Sequence, residues 1–267
     1  MEVIKAETMI QEGSYHPKFL IIGEGGGGKT SALTTFPPSL KVLVLDFFGN
    51  KESLEGAKNV EILSYSSLDP RKASAYLQLE KDKRQILSEL NAGKFSYDVL
   101  CLDTITGLIR FIMEFVIKTN PDGRGVAGAP AMHHHMGASH LTGEYLTSFL
   151  GFPITVVLNA HAELVRDETA GTIQYQPIMS GARWRNTLST YVGEVYRAFG
   201  VSDEKDSSKT KFLWQTQPDR RWPMLKSVLN KKSSLFGKFI DPNYEKLFEL
   251  RGMIKKGGDD PKELKSE

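Results

Sequence analysis

The chain has 267 residues, 40% of them hydrophobic and 25% charged, which is ordinary for a folded globular protein with one large or two small domains. Its formal net charge is only +2, so any contact with nucleic acid must come from a local basic patch. No segment approaches the roughly 18 consecutive apolar residues of a membrane span, and the amino terminus lacks the apolar core of a signal peptide. The single cysteine, Cys101, lies in an apolar run and predicts an inert buried thiol. We therefore expect a cytoplasmic protein with no membrane partner.

Residues 18–30, KFLIIGEGGGGKT, join a short apolar strand to a glycine-rich turn that ends in Lys29 and Thr30. They satisfy the G-x-x-x-x-G-K-[ST] pattern of a phosphate-binding loop, in which glycines bring backbone N–H groups close to an anion. We expect Lys29 to bind the β- and γ-phosphates and the Thr30 hydroxyl to bind Mg²⁺. The predicted nucleotide-binding residues are Glu24, Gly25, Gly26, Gly27, Gly28, Lys29, Thr30 and Ser31. A merely flexible glycine turn is the alternative, and the strand before it and the helix-compatible KTSALTTF after it argue against that.

The elements around this loop follow in order along the first half of the chain. Residues 1–17 carry weak signals and form a predicted amino-terminal extension, and the helix after the loop is expected to end at Pro37-Pro38. A buried strand over 41–47 contains Asp46, a candidate metal ligand, and a second strand covers 60–63. The charged segment from Asp69-Pro70 to about Leu90 predicts an amphipathic surface helix.

The run YDVLCLDT at 97–104 predicts another buried strand, which brings Asp103 to its carboxyl end. A carboxylate at this place, downstream of a phosphate loop, is where a Walker B residue holds Mg²⁺. The alternative is that Asp103 caps the helix predicted over 105–118.

Residues 120–137 form the longest stretch with little helix or strand signal, and such loops are usually functional. They include His133, His134 and His135, which suggest a metal site. Three consecutive residues cannot face one ion together, and no Cys or carboxylate partner stands nearby. Contact with a polyanion or with solvent is the interpretation we favour.

The second half of the chain predicts a helix over 140–150 and a buried strand over 153–161 that ends with Asn159 and His161. Residues 162–177 suggest a β-hairpin or a flexible loop, 183–192 a helix, and 194–201 with 211–217 a second hairpin. The charged, glycine-rich segment from Gly252 onward predicts a disordered tail.

These elements predict an α/β fold with a mainly parallel sheet, because apolar strands alternate with helices. Polar residues gather at the carboxyl ends of the strands, which is where open α/β sheets bind ligands. We expect a single domain over 18–250, followed by a tail over 251–267.

The order GEGGGGKT, LVLDF, VLCLDTITGL, MGASHLTGEYLTSFLG and TVVLNAHAEL, over about residues 18–230, resembles the RecA-like P-loop ATPase core. It is most similar to phage-encoded nucleotide-binding proteins related to RecA-like single-strand annealing proteins. The resemblance implies a RecA-like fold with a carboxy-terminal antiparallel hairpin, binding of ATP and Mg²⁺, and action on single-stranded DNA in phage recombination, annealing or replication. It further implies a homo-oligomeric ring or filament in the bacterial host cytoplasm, and a phage single-strand binding or replication protein as a further partner.

By position, the resemblance makes Asp103 the Walker B acid and His161 the polar sensor of the γ-phosphate. Residues 120–137 and 163–178 would be the mobile loops that face single-stranded DNA. The candidate DNA contacts are Arg124, His133, His134, His135, Arg166 and Tyr175, since cations and aromatic rings suit backbone tracking and base stacking.

The chain departs from the family pattern at two positions. The family's water-orienting glutamate is replaced by Phe48, so the candidate bases are Glu52, Glu55 and Glu24. The Lys-x-Arg pair that reaches into a neighbouring subunit retains only Lys226, unless Arg220 or Arg221 supplies the arginine. The implied catalytic set is Lys29, Asp103, His161, Glu52 and Lys226.

Three functional hypotheses follow. The first is an oligomeric ATPase acting on single-stranded DNA, which should show DNA-stimulated turnover. The second is a nucleotide-gated binding or scaffold protein with little or no hydrolysis, which Phe48 favours. The third, a small-molecule kinase, should have an arginine-rich lid that we do not find in the sequence.

Overall fold

The fold is taken from a computed structural model that describes residues 15–125, 128–167, 171–203, 206, 208–230 and 236–254. Within these ranges ten strands form one mixed sheet. They are β1 (Lys18–Gly23), β2 (Val42–Asp46), β3 (Val60–Ser64), β4 (Val99–Asp103), β5 (Thr155–Asp167), β6 (Thr172–Pro177), β7 (Glu194–Ser202), β8 (Thr210–Gln215), β9 (Lys226–Ser227) and β10 (Phe239–Ile240).

The centre of the sheet is parallel, in the order β7-β1-β5-β4-β2-β3. Its inner strands are near-continuous apolar runs that are buried on both faces, as parallel strands covered by helices must be. Antiparallel strands β8 and β10 extend the sheet beyond β7, while β6 pairs with β5 and β9 with β7. The predicted fold class, a mainly parallel α/β sheet with antiparallel carboxy-terminal strands, is confirmed.

Helices cover both faces of the sheet. They are α1 (Ala73–Asn91), α2 (Ile105–Thr119), α3 (Met132–Leu150), α4 (Ala182–Thr187) and α5 (Tyr244–Arg251). The first three pack on one face, where Leu79, Leu108 and Leu146 are fully buried. On the other face α5 packs against the segment after the glycine loop, and the Phe36 and Tyr244 rings stack with centroids 4.0 Å apart. The sheet thus has an apolar core on each side.

The predicted helix after the glycine loop is wrong, because Ser31–Thr35 form only a short 3₁₀ helix and Phe36 is already extended. Local side-chain bonds compete with the α-helical pattern in this segment. The hydroxyls of Ser31, Thr34 and Thr35 donate to the carbonyls of Gly28, Ser31 and Ala32, respectively. Pro37-Pro38 then prevents continuation.

Other boundaries also differ from the sequence prediction: the strand predicted to end at 161 continues to Asp167, and the helix predicted over 183–192 ends at Thr187. Helix α1 begins at Ala73 and not at Asp69, because the Asp69 carboxylate accepts from the backbone and guanidinium of Arg71 and forms a turn before the helix. Helix α3 begins at Met132, so the expected irregular stretch over 120–137 ends six residues earlier.

The predictions at the chain ends lie largely outside the described residues. This applies to the extension over 1–17 except for residues 15–17, and to the tail except for residues 251–254. Among the described residues, no helix combines the length and apolar character needed to cross a lipid bilayer.

Candidate nucleotide site

The glycine loop that follows β1 needs glycine for two separate physical reasons. Gly26 and Gly28 have φ angles of 73° and 80°, in the left-handed region that disfavours side chains. A Cβ at Gly23 would lie 2.2 Å from the Ala198 carbonyl oxygen, and one at Gly27 would lie 2.9 Å from the same atom. The sequence therefore folds into a tight backbone cradle against β7.

Lys29 lies inside this cradle and is only 6% exposed. Its Nζ donates to the carbonyls of Gly23 at 2.9 Å and Glu24 at 2.7 Å. Burial lowers the pKa of Lys29 from 10.5 to about 8, while the nearby Asp103 and Glu24 carboxylates oppose that shift. Phosphate oxygens would stabilise the ammonium further, so the group is placed to bind a polyanion.

Thr30 and Asp103 form the polar centre of the site. The Thr30 hydroxyl donates to Asp103 Oδ2 at 2.7 Å, and the Asn159 side-chain N–H donates to Asp103 Oδ1 at 3.0 Å. The sheet produces this arrangement because Asp103 at the end of β4 pairs with Asn159 on β5. Burial raises the pKa of Asp103, and the two hydrogen bonds oppose the shift.

These donors fit a divalent cation. A hydroxyl and a carboxylate are the hard oxygen ligands that Mg²⁺ prefers, and the neighbouring Asn159 Oδ1 is buried without a hydrogen-bond partner. Thr30 and Asp103 are thus the residues that would hold Mg²⁺. When bound with a nucleotide, Mg²⁺ neutralises charge on the β- and γ-phosphates.

His161 lies on β5 beside the loop, where it pairs with Gly23. Its backbone N–H donates to the Thr106 hydroxyl at 3.2 Å, which ties the middle of β5 to the start of α2. Burial and the Lys29 charge lower the pKa of His161, so the imidazole is neutral at neutral pH. A neutral ring has both a donor and an acceptor nitrogen for a phosphate oxygen or a water.

The candidate metal ligand Asp46 is engaged by its own turn. Its Oδ1 accepts from the backbone N–H groups of Phe48 and Gly49, and its Oδ2 accepts from the Ser64 hydroxyl. The Phe48 side chain is 40% exposed, and its ring centroid lies 6.0 Å from that of His161. The position where the family pattern expects a water-orienting carboxylate is thus occupied by an apolar ring beside His161.

A cavity of about 460 Å³ lies over the loop. Its lining consists of Gly25, Gly26, Gly27, Gly28, Lys29, Thr30, Ser31, Asn50, Ser53, Thr104, His161 and Phe212. All of these residues are described, and none is a carboxylate. Glu52 is exposed and not part of this wall, although its neighbour Ser53 is. The structure therefore brings together the predicted phosphate-binding residues from Gly25 to Ser31, and it leaves Glu24 and Glu52 outside this wall.

Comparison with known proteins identifies the family. A protein-family model described as an AAA domain matches residues 16–223, more than half of the chain. The chain belongs to the AAA domain family. None of the curated proteins compared matches it. Among solved structures, the flagellar accessory protein FlaH from Methanocaldococcus jannaschii aligns over 90% of this chain and 91% of its own, with 11% identity and a TM-score of 0.38.

Membership of the AAA domain family supports binding and hydrolysis of a nucleotide at this P-loop. In that chemistry Lys29 would supply positive charge to phosphate oxygens, and Thr30 and Asp103 would hold the cation. The hydrogen bond from Asn159 holds the Asp103 carboxylate in place, and the His161 ring nitrogens would be available to a phosphate oxygen or a water.

Lys226, predicted to act on a neighbouring subunit, does not lie near the phosphate loop of its own AAA domain. It pairs with Val195 on β7, which in turn pairs with Leu20 on β1, three residues before Gly23. Lys226 is thus two strand spacings, about 10 Å, from Leu20 across the sheet. The structure therefore leaves Lys226 outside the group of residues that line the cavity over the phosphate loop.

The candidate DNA contacts have different environments. Arg166 is exposed on β5, and Arg124 is exposed while donating to the Ile117 carbonyl at 3.2 Å. Tyr175 on β6 is half-buried because its ring stacks on Trp222, with centroids 4.7 Å apart.

The histidine run lies on the first turn of α3. His133 and His135 are exposed, but His134 is fully buried. Its Nδ1 accepts from the Ala131 N–H at 2.9 Å, and its Nε2 bonds the Asn120 carbonyl at 2.6 Å. His134 as a DNA contact is therefore wrong, because its ring closes the loop before α3 and cannot reach a ligand.

Sequence reasoning missed the roles of Asn159, Thr106 and Phe212 in this site. Asn159 is a polar residue inside an apolar strand, and that interruption is the signal that could have identified it. Thr106 and Phe212 gave no comparable signal, because their placement depends on packing between distant segments.

Proposed function

We propose that this AAA domain protein binds and hydrolyses ATP with Mg²⁺ and uses the state of the nucleotide to control its hold on single-stranded DNA. The observation that carries the proposal is the length of β5. One uninterrupted strand places Asn159 against Asp103 and His161 at the phosphate cavity, and it continues to Asp167 in the hairpin with β6. A movement of β5 at the phosphate site would therefore be transmitted along the strand to the hairpin.

One face of the hairpin suits a single-stranded polyanion. Leu164 and Ile173 are 57% and 53% exposed, and they lie on the same face as Arg166 and Tyr175 because side chains alternate along a strand. Exposed apolar surface beside a cation suits contact with unstacked bases and a phosphate backbone. This pattern supports the hairpin as the DNA-binding element.

The oligomeric part of the proposal rests on Lys226, which is not among the residues that line the cavity over its own loop. A ring or filament would bring it to the site of the next copy, where its charge stabilises the transferring phosphoryl group. The resemblance to phage nucleotide-binding proteins supports a role in recombination, annealing or replication in the host cytoplasm, alongside a single-strand binding or replication protein.

A second candidate function is a nucleotide-gated binding protein with little hydrolysis. Two observations favour it: the cavity wall contains no carboxylate, and Phe48 lies beside His161. Glu24, at the start of the loop, has an exposed side chain. Of the three candidate bases, it is the one closest in sequence to Lys29.

The deciding experiment is ATP turnover by the purified protein with and without single-stranded DNA. The wild type should hydrolyse ATP faster with DNA, and Lys29→Ala and Asp103→Asn should abolish turnover. Arg166→Ala combined with Ile173→Ala should remove the stimulation and leave basal turnover intact. Arg71→Ala, an exposed arginine outside the hairpin, is the matched control.

Tight ATP binding with no turnover would select the second function. Turnover that ignores DNA, in wild type and in the hairpin variant alike, would reject the DNA part of the proposal.

A further inference from the structure

A second cavity, of about 420 Å³, lies on the opposite flank of the glycine loop. It shares Gly25, Gly26 and Gly27 with the phosphate cavity, so the two are separated only by the loop. The other wall comes mainly from the β7-β8 hairpin, β6 and the segment before β9, including Tyr175, Arg197, Phe199, Ser202, Thr210 and Trp222. Its volume falls in the range of roughly 300–1,000 Å³ that small-molecule sites occupy.

Aromatic rings and a guanidinium form a layered wall in this cavity. The Tyr175 and Trp222 rings are nearly parallel, with an interplanar angle of 6°. The Arg197 guanidinium lies 4.3 Å from the Phe199 ring centroid and 5.0 Å from that of Trp222. These contacts hold the side chain in one orientation, which lowers the entropy cost of binding a ligand.

Arg197 retains hydrogen-bonding capacity. Its contact with Gln215 Oε1 is long, at 3.4 Å, and uses one of five guanidinium N–H groups. The Ser202 and Thr210 hydroxyls add donors and acceptors at the rim of the cavity. Flat apolar surface combined with a few fixed polar groups is the chemistry of a nucleobase and ribose site.

The direction of the nucleotide follows from the position of the cation ligands. Asp103 and His161 lie on the β4-β5 side of β1, whereas the second cavity lies on the β7-β8 side. A nucleoside triphosphate has its γ-phosphate at one end and its base at the other. With the γ-phosphate at the cation site, the rest of the molecule crosses the loop toward the second cavity.

We propose that this second cavity receives the base and ribose of the bound nucleotide, with Arg197 as a binding residue that donates to their acceptor atoms and Trp222 as an aromatic wall. The inference rests on the proposed nucleotide binding and adds the part of the ligand that the phosphate loop does not recognise. Binding of the phosphates and binding of the base and ribose are measured separately, the first with tripolyphosphate and the second by the additional affinity for ATP.

The test compares calorimetric binding of ATP and of inorganic tripolyphosphate, both with Mg²⁺. The wild type should bind ATP at least about tenfold more tightly than tripolyphosphate. Arg197→Ala should lose most of that difference without changing tripolyphosphate affinity, whereas Lys29→Ala should weaken both ligands.

Tryptophan fluorescence gives a readout that does not depend on Arg197→Ala folding well. ATP, but not tripolyphosphate, should change the emission of the wild type. Trp222→Phe should remove that change, and Trp184→Phe, on the α4 side of the molecule, should retain it.

Equal affinities for ATP and tripolyphosphate would overturn the base site while leaving phosphate binding intact. Failure of both ligands to bind would overturn the proposed function as well. If Arg197→Ala weakened binding of a single-stranded oligonucleotide but not of ATP, the cavity would belong to the nucleic acid, and the base site would be rejected.

Discussion

Asn159 donates its side-chain N–H to Asp103 Oδ1 at 3.0 Å, from the strand that lies between the Asp103 strand and the phosphate-loop strand. The Thr30 hydroxyl takes the other carboxylate oxygen. The Asp103 carboxylate is therefore held in position by strand β5 and by the loop after β1, and its geometry depends on β5 as much as on β4.

The first prediction tests this positioning. Asn159→Leu removes the hydrogen bond while keeping a similar side-chain volume, and we expect Mg²⁺-dependent ATP affinity to fall about tenfold. A hydrogen bond to a charged group contributes roughly 1.5–3 kcal/mol, and about 1.4 kcal/mol is a factor of ten in affinity. Calorimetric titration with and without Mg²⁺ measures the effect. Asn91→Leu, at the exposed end of α1, is the control, and an unchanged Mg²⁺ dependence would refute the positioning role.

The second prediction concerns pH. Burial holds the pKa of Lys29 at about 8 in the free protein, and bound phosphates stabilise the ammonium and raise that pKa. Binding above about pH 8 must then take up a proton, so ATP affinity should fall as the pH rises, by at most about tenfold per pH unit. Calorimetry in two buffers of different ionisation enthalpy should detect proton uptake at pH 8.5 that is smaller at pH 7. Lys29→Ala should show none, and equal proton uptake at both pH values would contradict the prediction.

The third prediction concerns the effect of the lowered lysine pKa values on the free energy of unfolding. Lys18 also has its pKa lowered to about 8 by burial, where its Nζ donates to the carbonyls of Phe152 and Ile154. Because the unfolded lysines keep their protons up to about 10.5, the unfolded chain binds more protons than the folded one above pH 8. These two groups therefore increase the free energy of unfolding between pH 8 and 10.5. Urea titrations across that window should show a smaller rise for Lys18→Met, and an identical slope would count against the lowered pKa.

The fourth prediction separates two glycines of the P-loop segment. Gly23→Ala places a Cβ 2.2 Å from the Ala198 carbonyl oxygen, so backbone must move and we expect a loss of about 1–3 kcal/mol in the free energy of unfolding. Gly25→Ala meets no atom within 4 Å and should change stability by less than about 0.5 kcal/mol. Urea denaturation of the pair measures both. Equal stability of the two variants would show that β7 moves to accommodate the extra methyl group without a cost in stability.

The sequence predicted the features of this fold that are local and strongly patterned. Four-residue apolar runs predicted buried parallel strands, and the glycine-lysine-threonine motif predicted the phosphate loop. The alignment of Asp103 with the loop followed from parallel strands ending at one edge of the sheet.

Features that depend on distant segments were not predictable in this way. His134 looked like a solvent-exposed loop residue, but tertiary contacts with Asn120 and Ala131 bury it. Arg197 and Trp222 are 25 positions apart and meet only because the segment before β9 folds back beside β7. The 3₁₀ helix after the loop reflects hydroxyl-to-carbonyl bonds that compete with helix propensity.

The last prediction concerns Phe48, whose half-exposed ring lies 6.0 Å from the ring of His161, a residue of the phosphate cavity. None of the residues that line this cavity is a carboxylate. Phe48→Glu would place a general base beside the neutral sensor histidine. Since a positioned base contributes about 10²–10⁴-fold to such reactions, we expect ATP turnover to rise at least about tenfold in the variant.

Phe48→Leu supplies the matched control, because it keeps an apolar side chain and adds no carboxylate. Its turnover should stay at the wild-type level, and ATP affinity should be similar in all three proteins, since the phosphate cradle is unchanged. If Phe48→Glu were no faster than Phe48→Leu while still binding ATP, the absence of a carboxylate at this position would not be what limits hydrolysis, and Glu24 would become the next candidate base to replace.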